Sequence, residues 1–383
     1  MKPSAFCYSV SHLSFIIYHL TFSAALLSFI IYYLTFSAAP CAAANLQLEL
    51  YQISHIDLDD GLPHNNVNQM FADSKGFVWI STYGGGVVRY DGYSFRRFPF
   101  GSGNEEEPQV NSVACKAITE DTHHRLWIAY DEYTTVVDLH TMKPVVPQYG
   151  NTDISRQLRK PSTKVYCDSK GAVWQITTDS IFRYEFNQQG AVAAISSCRY
   201  QNNTPDIAIA DIDRNGSVWC AVDYGIYRLL PDKDKLLKRE IDPSLRTLQH
   251  LFVTAMLKRE NTVWISTNNG LFSYHLYSRS LQSYHHTDNE GSLPHNFTTS
   301  LALSTAGKLL VGTLRGIAVL NSDEQTFLSW SSNNTHSPLP SDFIHCMTYI
   351  NGQLWVGTET AGIVKISPRP LILSNFTPPR IGH

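Results

Sequence analysis

A tryptophan recurs along this chain at a near-constant interval, and this interval restricts the possible folds more than any other feature. The repeated position holds Trp in six copies and Leu in one: Trp79, Trp127, Trp174, Trp219, Trp264, Leu310 and Trp355. Successive members lie about 45 to 48 residues apart. A period of this length is typical of β-propellers and of solenoids.

Each repeat is compatible with four β-strands joined by short turns. In the first repeat, residues 73–76 predict a tight turn, in which Asp73 binds its own backbone and Gly76 adopts a positive φ. The next segment, residues 77–81, is apolar on both faces, as expected for a strand in a sheet that is covered on both sides. No copy shows a helical period, which argues against a helical solenoid. The sequence therefore predicts an all-β, seven-bladed β-propeller of four-stranded antiparallel blades.

A propeller must close, because its two end blades would otherwise expose strand edges. The last repeat contains three strand-like segments, the third at residues 362–366. Residues 51–56 resemble a fourth strand that has no blade of its own. We expect residues 51–56 to close the ring as the outermost strand of the last blade.

The recurring phrase resembles the two-component regulator propeller repeat. The resemblance is strongest in residues 73–98, 267–274 and 352–366 and in the entry phrase 60–67, and it extends over about residues 49–370. Repeat two departs from the pattern because its turn, residues 121–125, contains no Gly. The resemblance implies the periplasmic N-terminal sensor region of a hybrid two-component histidine kinase, as found in polysaccharide-degrading gut bacteria. Kinase, receiver and DNA-binding segments are absent from this chain, so we expect an N-terminal piece, a truncated product or a stand-alone relative.

The N-terminal residues 1–44 differ in composition from the repeats. They contain a duplicated apolar stretch, residues 13–39, followed by Ala42, Ala43 and Ala44 as a small-residue cleavage site. This arrangement predicts an export signal, and an inner-membrane anchor is the alternative because the stretch exceeds the usual ~7–15 residues. We expect a periplasmic propeller at residues 45–370 and a linker-like tail at residues 371–383.

Composition and motifs exclude several function classes. The formal net charge of −3 argues against a nucleic-acid partner. The cysteines outside the leader share no CxxC spacing and the histidines form no ligand pairs, so we expect neither a metal site nor a cofactor. His64 and His295 share a Leu-Pro-His-Asn phrase whose later counterpart carries Ser341, which favours a role in the turn. No nucleophile elbow or zinc-protease motif is present, so we do not expect an enzyme.

Strand direction divides the connections between two rims. We call the rim with the blade-entering segments and the turns between second and third strands the entry rim, and the opposite rim, with the Asp…Gly turns, the turn rim. The candidate ligand-binding residues lie in turns after second strands: Tyr83, Asp131, Tyr133, Asp179, Asp223, Tyr224, Asn268, Asn269, Arg315 and Glu359. Aromatic rings stack on sugars, and Arg315 could hold a uronate or sulfate through two parallel hydrogen bonds.

The leading hypothesis is a non-catalytic sensor domain that binds an oligosaccharide or another small extracytoplasmic ligand. A propeller lyase or glycosidase, with acid and base groups converging at the channel mouth, is the enzyme alternative. A protein-interaction scaffold would use the same rim, and the fold alone does not choose between them. The sequence is also compatible with a homodimer, and with membrane contact only through the N-terminal segment or through parts missing from this chain.

Overall fold

Seven four-stranded antiparallel sheets follow one another along the chain, which confirms the predicted seven-bladed propeller. The structure is a computed structural model. It describes residues 51–98, 114–200, 208–211, 218–222, 224–232, 237–332 and 339–368. The predicted export signal, the tail at residues 371–383 and the candidate Asp223 lie outside the described residues.

The blades are numbered in chain order, and each runs from an inner first strand to an outer fourth strand. The chain starts with β1 (Tyr51–Ile56). Blade 1 contains β2 (Val67–Ala72), β3 (Val78–Thr82), β4 (Gly86–Tyr90) and β5 (Phe95–Arg97). Blade 2 contains β6 (Cys115–Glu120), β7 (Arg125–Tyr130), β8 (Thr134–Asp138) and β9 (Lys143–Pro144). A small excursion follows, with β10 (Gln148–Tyr149), β11 (Thr152–Asp153) and the helix α1 (Ser155–Leu158).

Blade 3 contains β12 (Ser162–Cys167), β13 (Val173–Thr177), β14 (Ser180–Phe186) and β15 (Val192–Arg199). Blade 4 contains β16 (Ala208–Asp211), β17 (Val218–Val222), β18 (Gly225–Pro231) and β19 (Leu237–Ile241), followed by a 3-10 helix (Pro243–Leu248). Blade 5 contains β20 (Val253–Arg259), β21 (Thr262–Thr267), β22 (Gly270–His275) and β23 (Leu281–Tyr284). Blade 6 contains β24 (Thr298–Leu303), β25 (Leu309–Thr313), β26 (Gly316–Leu320) and β27 (Phe327–Trp330). Blade 7 contains β28 (Ile344–Ile350), β29 (Gln353–Thr358) and β30 (Ile363–Pro368).

The core lies between blades rather than within any one of them. Each second strand is buried on both faces, as its unbroken apolar sequence predicts. Each Trp of the repeated position points towards the next blade: Trp79 packs with Ile118 of blade 2, and Trp264 with Leu309 of blade 6. Trp355 of blade 7 packs in the same way with residues of blade 1. One shared position therefore builds successive junctions of the ring.

Closure occurs as the sequence predicts, because β1 is the outermost strand of blade 7 and pairs with β30. The backbone amide of Gly362 donates to the carbonyl of Asn65 at 3.0 Å, which joins blade 7 to the entry of blade 1. Gly362 has a φ of +72°, and an added Cβ would lie 2.3 Å from the carbonyl oxygen of Ile56. Only glycine fits at this contact.

The propeller forms one compact unit, Ile53–Ser367. The second unit takes in the two ends of the chain, Met1–Gln52 and Pro368–His383, and only Tyr51, Gln52 and Pro368 of it are described. Among the described residues, no helix is long and apolar enough to cross a membrane.

Candidate functional site

A backbone hydrogen bond ties the two kinds of entry-rim connection together in six blades. The first residue after the second strand donates its amide to a carbonyl in the segment that enters the same blade. The pairs, at 2.9–3.3 Å, are Tyr83 to Asn66, Asp131 to Ala114, Thr178 to Pro161, Asn268 to Phe252, Leu314 to Phe297 and Glu359 to Phe343. The turns after second strands and the entering segments therefore share one rim, and that rim carries the described candidate residues.

The turns of the entry rim are held by threonine side chains at the ends of second strands. Thr313 Oγ1 donates to the carbonyl of Gly316 at 2.8 Å and accepts the amide of Arg315 at 3.0 Å. Thr267 makes the equivalent bonds to Gly270 and Asn269 in blade 5. These bonds fix the backbone from which the candidate side chains project.

Four candidate side chains project into solvent from this fixed backbone. Tyr83 is 62% exposed, and its ring contacts the imidazole of His64. Asn269, Arg315 and Glu359 are also exposed. In the described part of the chain, the guanidinium of Arg315 forms no ion pair. These four groups are sterically available to a ligand.

Two candidate carboxylates are paired with lysines. Asp131 lies 3.3 Å from Lys116 Nζ, and Asp179 lies 2.9 Å from Lys160 Nζ. The hydrogen bond from Lys160 lowers the pKa of Asp179. Both pairs are largely solvent-exposed and hence weak, so a ligand anion or cation can exchange for either partner. A lowered pKa is the opposite of what a general acid requires.

Three further candidates take part in packing or turn formation. Tyr133 is half-buried against Tyr130, with ring centroids 5.1 Å apart. Tyr224, at a φ of +57°, packs on Phe252. The side-chain oxygen of Asn268 accepts the amide of Phe252 at 3.0 Å. Substituting these residues would therefore disturb the rim as well as any ligand contact.

A second set of rim residues was missed by the sequence analysis. In six blades the register of the first strand shifts after its first residue, as a β-bulge does. The residue within each bulge is polar: Asn68, Lys116, Thr163, Thr254, Thr299 and His345. Since the first strands of adjacent blades are neighbours around the axis, this polar ring surrounds the channel end of the entry rim. A polar residue at the second position of each of these first strands is the signal that could have identified it.

The histidines of the entering segments have the predicted turn role. His64 Nδ1 accepts the amide of Asn66 at 2.9 Å, and His295 Nδ1 accepts that of Phe297 at the same distance. The hydroxyl of Ser341 accepts the amide of Phe343 in the equivalent place. This confirms that the side chain at this position accepts a hydrogen bond from the backbone of its own turn.

One cluster on the turn rim and one buried thiol resemble reactive groups in composition. Ser74, Glu120 and His124 meet on the turn rim, but Ser74 Oγ and Glu120 Oε1 both lie 3.0 Å from the same nitrogen, His124 Nδ1. A catalytic relay needs the two ring nitrogens to face different partners, so this cluster links blades 1 and 2 instead. Burial raises the pKa of the Cys115 thiol to about 12, which disfavours the thiolate that a nucleophile requires. Among the described residues, no cluster of His, Cys, Asp or Glu could hold a metal ion.

Sequence comparison identifies a family for one repeat. The model of the two component regulator propeller matches residues 61–84, which include Asp73 and Trp79. This match confirms the resemblance drawn from the repeats. No curated protein sequence matches the chain.

Comparison with solved structures finds the same architecture in sensors and in an enzyme. The extracellular domain of the hybrid two component system BT3049 from B. thetaiotaomicron matches with a TM-score of 0.61 and 19% identity over 84% of this chain and 42% of that chain. The extracellular domain of BT4673 from the same organism matches with a TM-score of 0.60 and 20% identity over 82% of this chain and 39% of that chain. Virginiamycin B lyase from Staphylococcus aureus matches with a TM-score of 0.57 and 11% identity over 83% of this chain and 99% of that chain.

These likenesses establish the fold. This chain spans about two fifths of the length of the two B. thetaiotaomicron domains. It is a propeller that resembles the extracellular sensor domains of hybrid two-component systems, with lyase propellers as more distant matches.

Proposed function

We propose that this chain is the extracytoplasmic ligand-sensing propeller of a two-component signalling system, and that its entry rim binds an oligosaccharide. The observation that carries the proposal is the family match at residues 61–84. The likeness to two extracellular sensor domains supports it at the level of the fold. The signal passes to kinase and output domains, and a homodimer is one route by which it does so.

The geometry of the entry rim supports a ligand site there. Fixed turns from different blades present Tyr83, Asn269, Arg315 and Glu359 towards solvent. Residues far apart in sequence thus surround one small area, with the polar bulge ring at its centre. Because the backbone is already ordered, binding does not have to order these loops.

The side-chain chemistry favours an acidic or sulfated sugar over a neutral one. Arg315 presents a guanidinium fork that is free of ion pairs within the described residues, and such a fork binds a carboxylate or sulfate through two parallel hydrogen bonds. Tyr83 supplies an exposed ring for stacking on the apolar face of a sugar. The enzyme alternative lacks this kind of support, because Asp131 and Asp179 are held in ion pairs with lysines.

A glycan array, with product formation measured for every glycan that binds, tests the proposed function. We expect binding without turnover. Turnover would establish the lyase or glycosidase instead, and the absence of any glycan binding would favour the protein-interaction scaffold.

Variants on the two rims then test the location of the site. Arg315→Ala and Tyr83→Ala are expected to weaken binding of the glycan found on the array by about tenfold each. Lys308→Ala, which removes a cation from the turn rim of the same blade, and Tyr93→Ala, which removes an exposed ring from the turn rim, are the matched controls. Wild-type affinity in both entry-rim variants, together with weaker binding in the controls, would place the site elsewhere.

A further inference from the structure

A cavity of about 260 Å³ lies on the turn rim in the groove between blades 5 and 6. Its walls include Thr262, Trp264, Ser273, Ser280 and Gln282 of blade 5 and Glu324 of blade 6. The blade 5 residues come from β21, β22, β23 and the turn before β23, so all of them face the next blade. The cavity is thus formed at the position where the Trp of the repeat packs against its neighbour.

The cavity exists because blade 5 carries a small residue where other blades carry a long cation. On the third strand, the residue paired with the repeat Trp is Arg or Lys in four blades: Arg89, Arg183, Arg228 and Lys365. Arg183 lies 5.5 Å from the Trp174 ring, and Lys365 lies 5.2 Å from the Trp355 ring. The paired residue in blade 5 is Ser273, whose hydroxymethyl group cannot cover Trp264.

The indole of Trp264 differs in its polar partners from the indoles of blades 1, 2 and 3. In blades 1, 2 and 3 the indole N–H donates to the turn aspartate six residues earlier, at 2.8–2.9 Å. In blade 5 the strand pairing puts Arg259, opposite Thr262, in the place of that aspartate. Trp264 is only 2% exposed, and its Nε1 meets no acceptor among the described residues. The indole nitrogens of Trp219 and Trp355 also lack an acceptor among the described residues, so the feature that sets Trp264 apart is the polar cavity beside its ring.

The lining identifies the class of ligand. Hydroxyls of Thr262, Ser273 and Ser280 and the amide of Gln282 can each donate and accept hydrogen bonds. The carboxylate of Glu324 is paired with Arg259 at 3.3 Å, so the wall presents little net charge. Tyr277, 79% exposed, contacts the ring of His275, which also lines the cavity. The volume falls below the ~300–1,000 Å³ range of pockets for drug-sized ligands.

We propose that the groove between blades 5 and 6 is a binding site for a small uncharged polyhydroxylated molecule, such as a single sugar ring. The serine, threonine and glutamine side chains bind its hydroxyls beside the Trp264 ring. Tyr277 stacks at the edge of the site. This site lies on the turn rim, and it does not depend on ligand binding at the entry rim.

NMR of protein with isotope-labelled tryptophan tests the site, because the chain holds only seven Trp residues and each gives one indole signal. The probes are the methyl glycosides of glucose, galactose, mannose and xylose, each titrated to tens of millimolar. Trp264→Phe assigns the signal. We expect at least one glycoside to shift the Trp264 signal saturably and to leave that of Trp355 unchanged, since Lys365 covers the latter ring.

Ser273→Arg is the decisive variant, because it inserts the residue that blades 1, 3 and 4 carry at the same position. It should abolish the Trp264 shift while the other indole signals keep their native positions. Gln188→Arg, which adds the same charge to the corresponding outer turn of blade 3, should keep the shift. If Ser273→Arg does not fold, nuclear Overhauser effects between sugar protons and the Trp264 indole in the wild-type protein provide the same test.

Several outcomes would overturn the proposal. The proposal is wrong if no glycoside shifts the Trp264 signal or if the shift persists in folded Ser273→Arg. It is also wrong if sodium acetate shifts the Trp264 signal and the glycosides do not. The entry-rim variant Arg315→Ala should retain the Trp264 shift. The entry-rim proposal can therefore fail while the Trp264 shift is still observed. The two proposals can thus fail separately.

Discussion

Blades 3 and 5 bury the same tryptophan to nearly the same extent, yet they surround it with different chemistry. Trp174 of blade 3 is 0% exposed and Trp264 of blade 5 is 2% exposed. In blade 3 the indole donates to Asp168 at 2.9 Å, and Arg183 lies 3.6 Å from the same carboxylate. In blade 5 neither the carboxylate nor the guanidinium has a counterpart, because Arg259 and Ser273 take their positions in the strand pairing.

The comparison shows that the apolar packing of the repeat Trp does not require the polar partners of its indole. Both indoles pack against the next blade, so apolar contact alone suffices to place the ring. Asp168 adds rigidity: its Oδ1 also accepts the amides of Lys170 and Ala172, which closes the turn. Where the pair of charged side chains is absent, the groove stays open, and a polar cavity results.

The largest expected effect comes from removing the rings themselves. Trp264→Ala should lower the free energy of unfolding by about 3–5 kcal/mol, the usual cost of deleting a buried large aromatic residue. Trp174→Ala should cost more, because it also removes the indole N–H that donates to Asp168 Oδ2 in a buried site. Urea unfolding at equilibrium measures both values. A cost below about 1 kcal/mol for Trp264→Ala would contradict its place in the core.

The next largest effect is expected from removing the turn aspartate of blade 3. Asp168→Ala should cost about 3 kcal/mol, since it opens the turn, removes the acceptor of the Trp174 indole and takes away one of the two carboxylates beside Arg183. Arg259→Ala, at the equivalent position of blade 5, should cost less than about 1 kcal/mol, because its ion pair with Glu324 is largely exposed. Equal costs for the two substitutions, measured by urea unfolding, would mean that the turn aspartate does not stabilise its blade.

Blade 5 has a different polar tether, and its strength should depend on pH. Tyr274 donates its hydroxyl to Asp242 at 2.7 Å. Burial favours the neutral carboxyl of Asp242, but the hydrogen bonds from Tyr274 and Ser244 outweigh burial, so its pKa is lowered. A lowered folded-state pKa stabilises the protein above the ordinary value of about 3.9, and this contribution is lost as the pH falls through the folded-state value.

Tyr274→Phe should therefore cost about 1 kcal/mol at neutral pH. The difference from the wild type should shrink as the pH falls below about 4, because protonated Asp242 no longer favours the bond. Thermal unfolding at a series of pH values checks this. A difference that stays constant across the acidic range would show that the Asp242 carboxylate is not the partner that matters.

The smallest effect is expected from filling the groove of blade 5. Ser273→Arg should change the free energy of unfolding by less than about 1 kcal/mol, because the guanidinium gains contact with the Trp264 ring but loses side-chain entropy. Gln188→Arg is the control for added charge. A large destabilisation by Ser273→Arg alone would mean that the groove cannot accept the residue that blade 3 carries, and that the two blades differ in backbone as well as in side chains.

Much of the fold follows from local patterns. The Trp period, the turn residues and the two-sided apolar second strands determine the number of blades, and the unpaired segment β1 determines how they close. Even the turn without glycine in repeat two fits, because His124 adopts the left-handed conformation with a φ of +56°. These features depend on neighbouring residues in sequence, so the sequence alone predicts them.

The candidate site follows from the sequence only in part. The repeat places Tyr83, Asn269, Arg315 and Glu359 on one rim, but the ion pairs of Asp131 and Asp179 join residues of a turn to residues of another segment. The polar ring arises from a shift in strand register, which no periodic pattern displays. The cavity beside Trp264 depends on Ser273 opposite the ring and on Glu324 of the next blade. The sequence therefore determined the blades, their order and their closure, whereas the tertiary structure decided which side chains remain free, because that depends on contacts between strands and between blades.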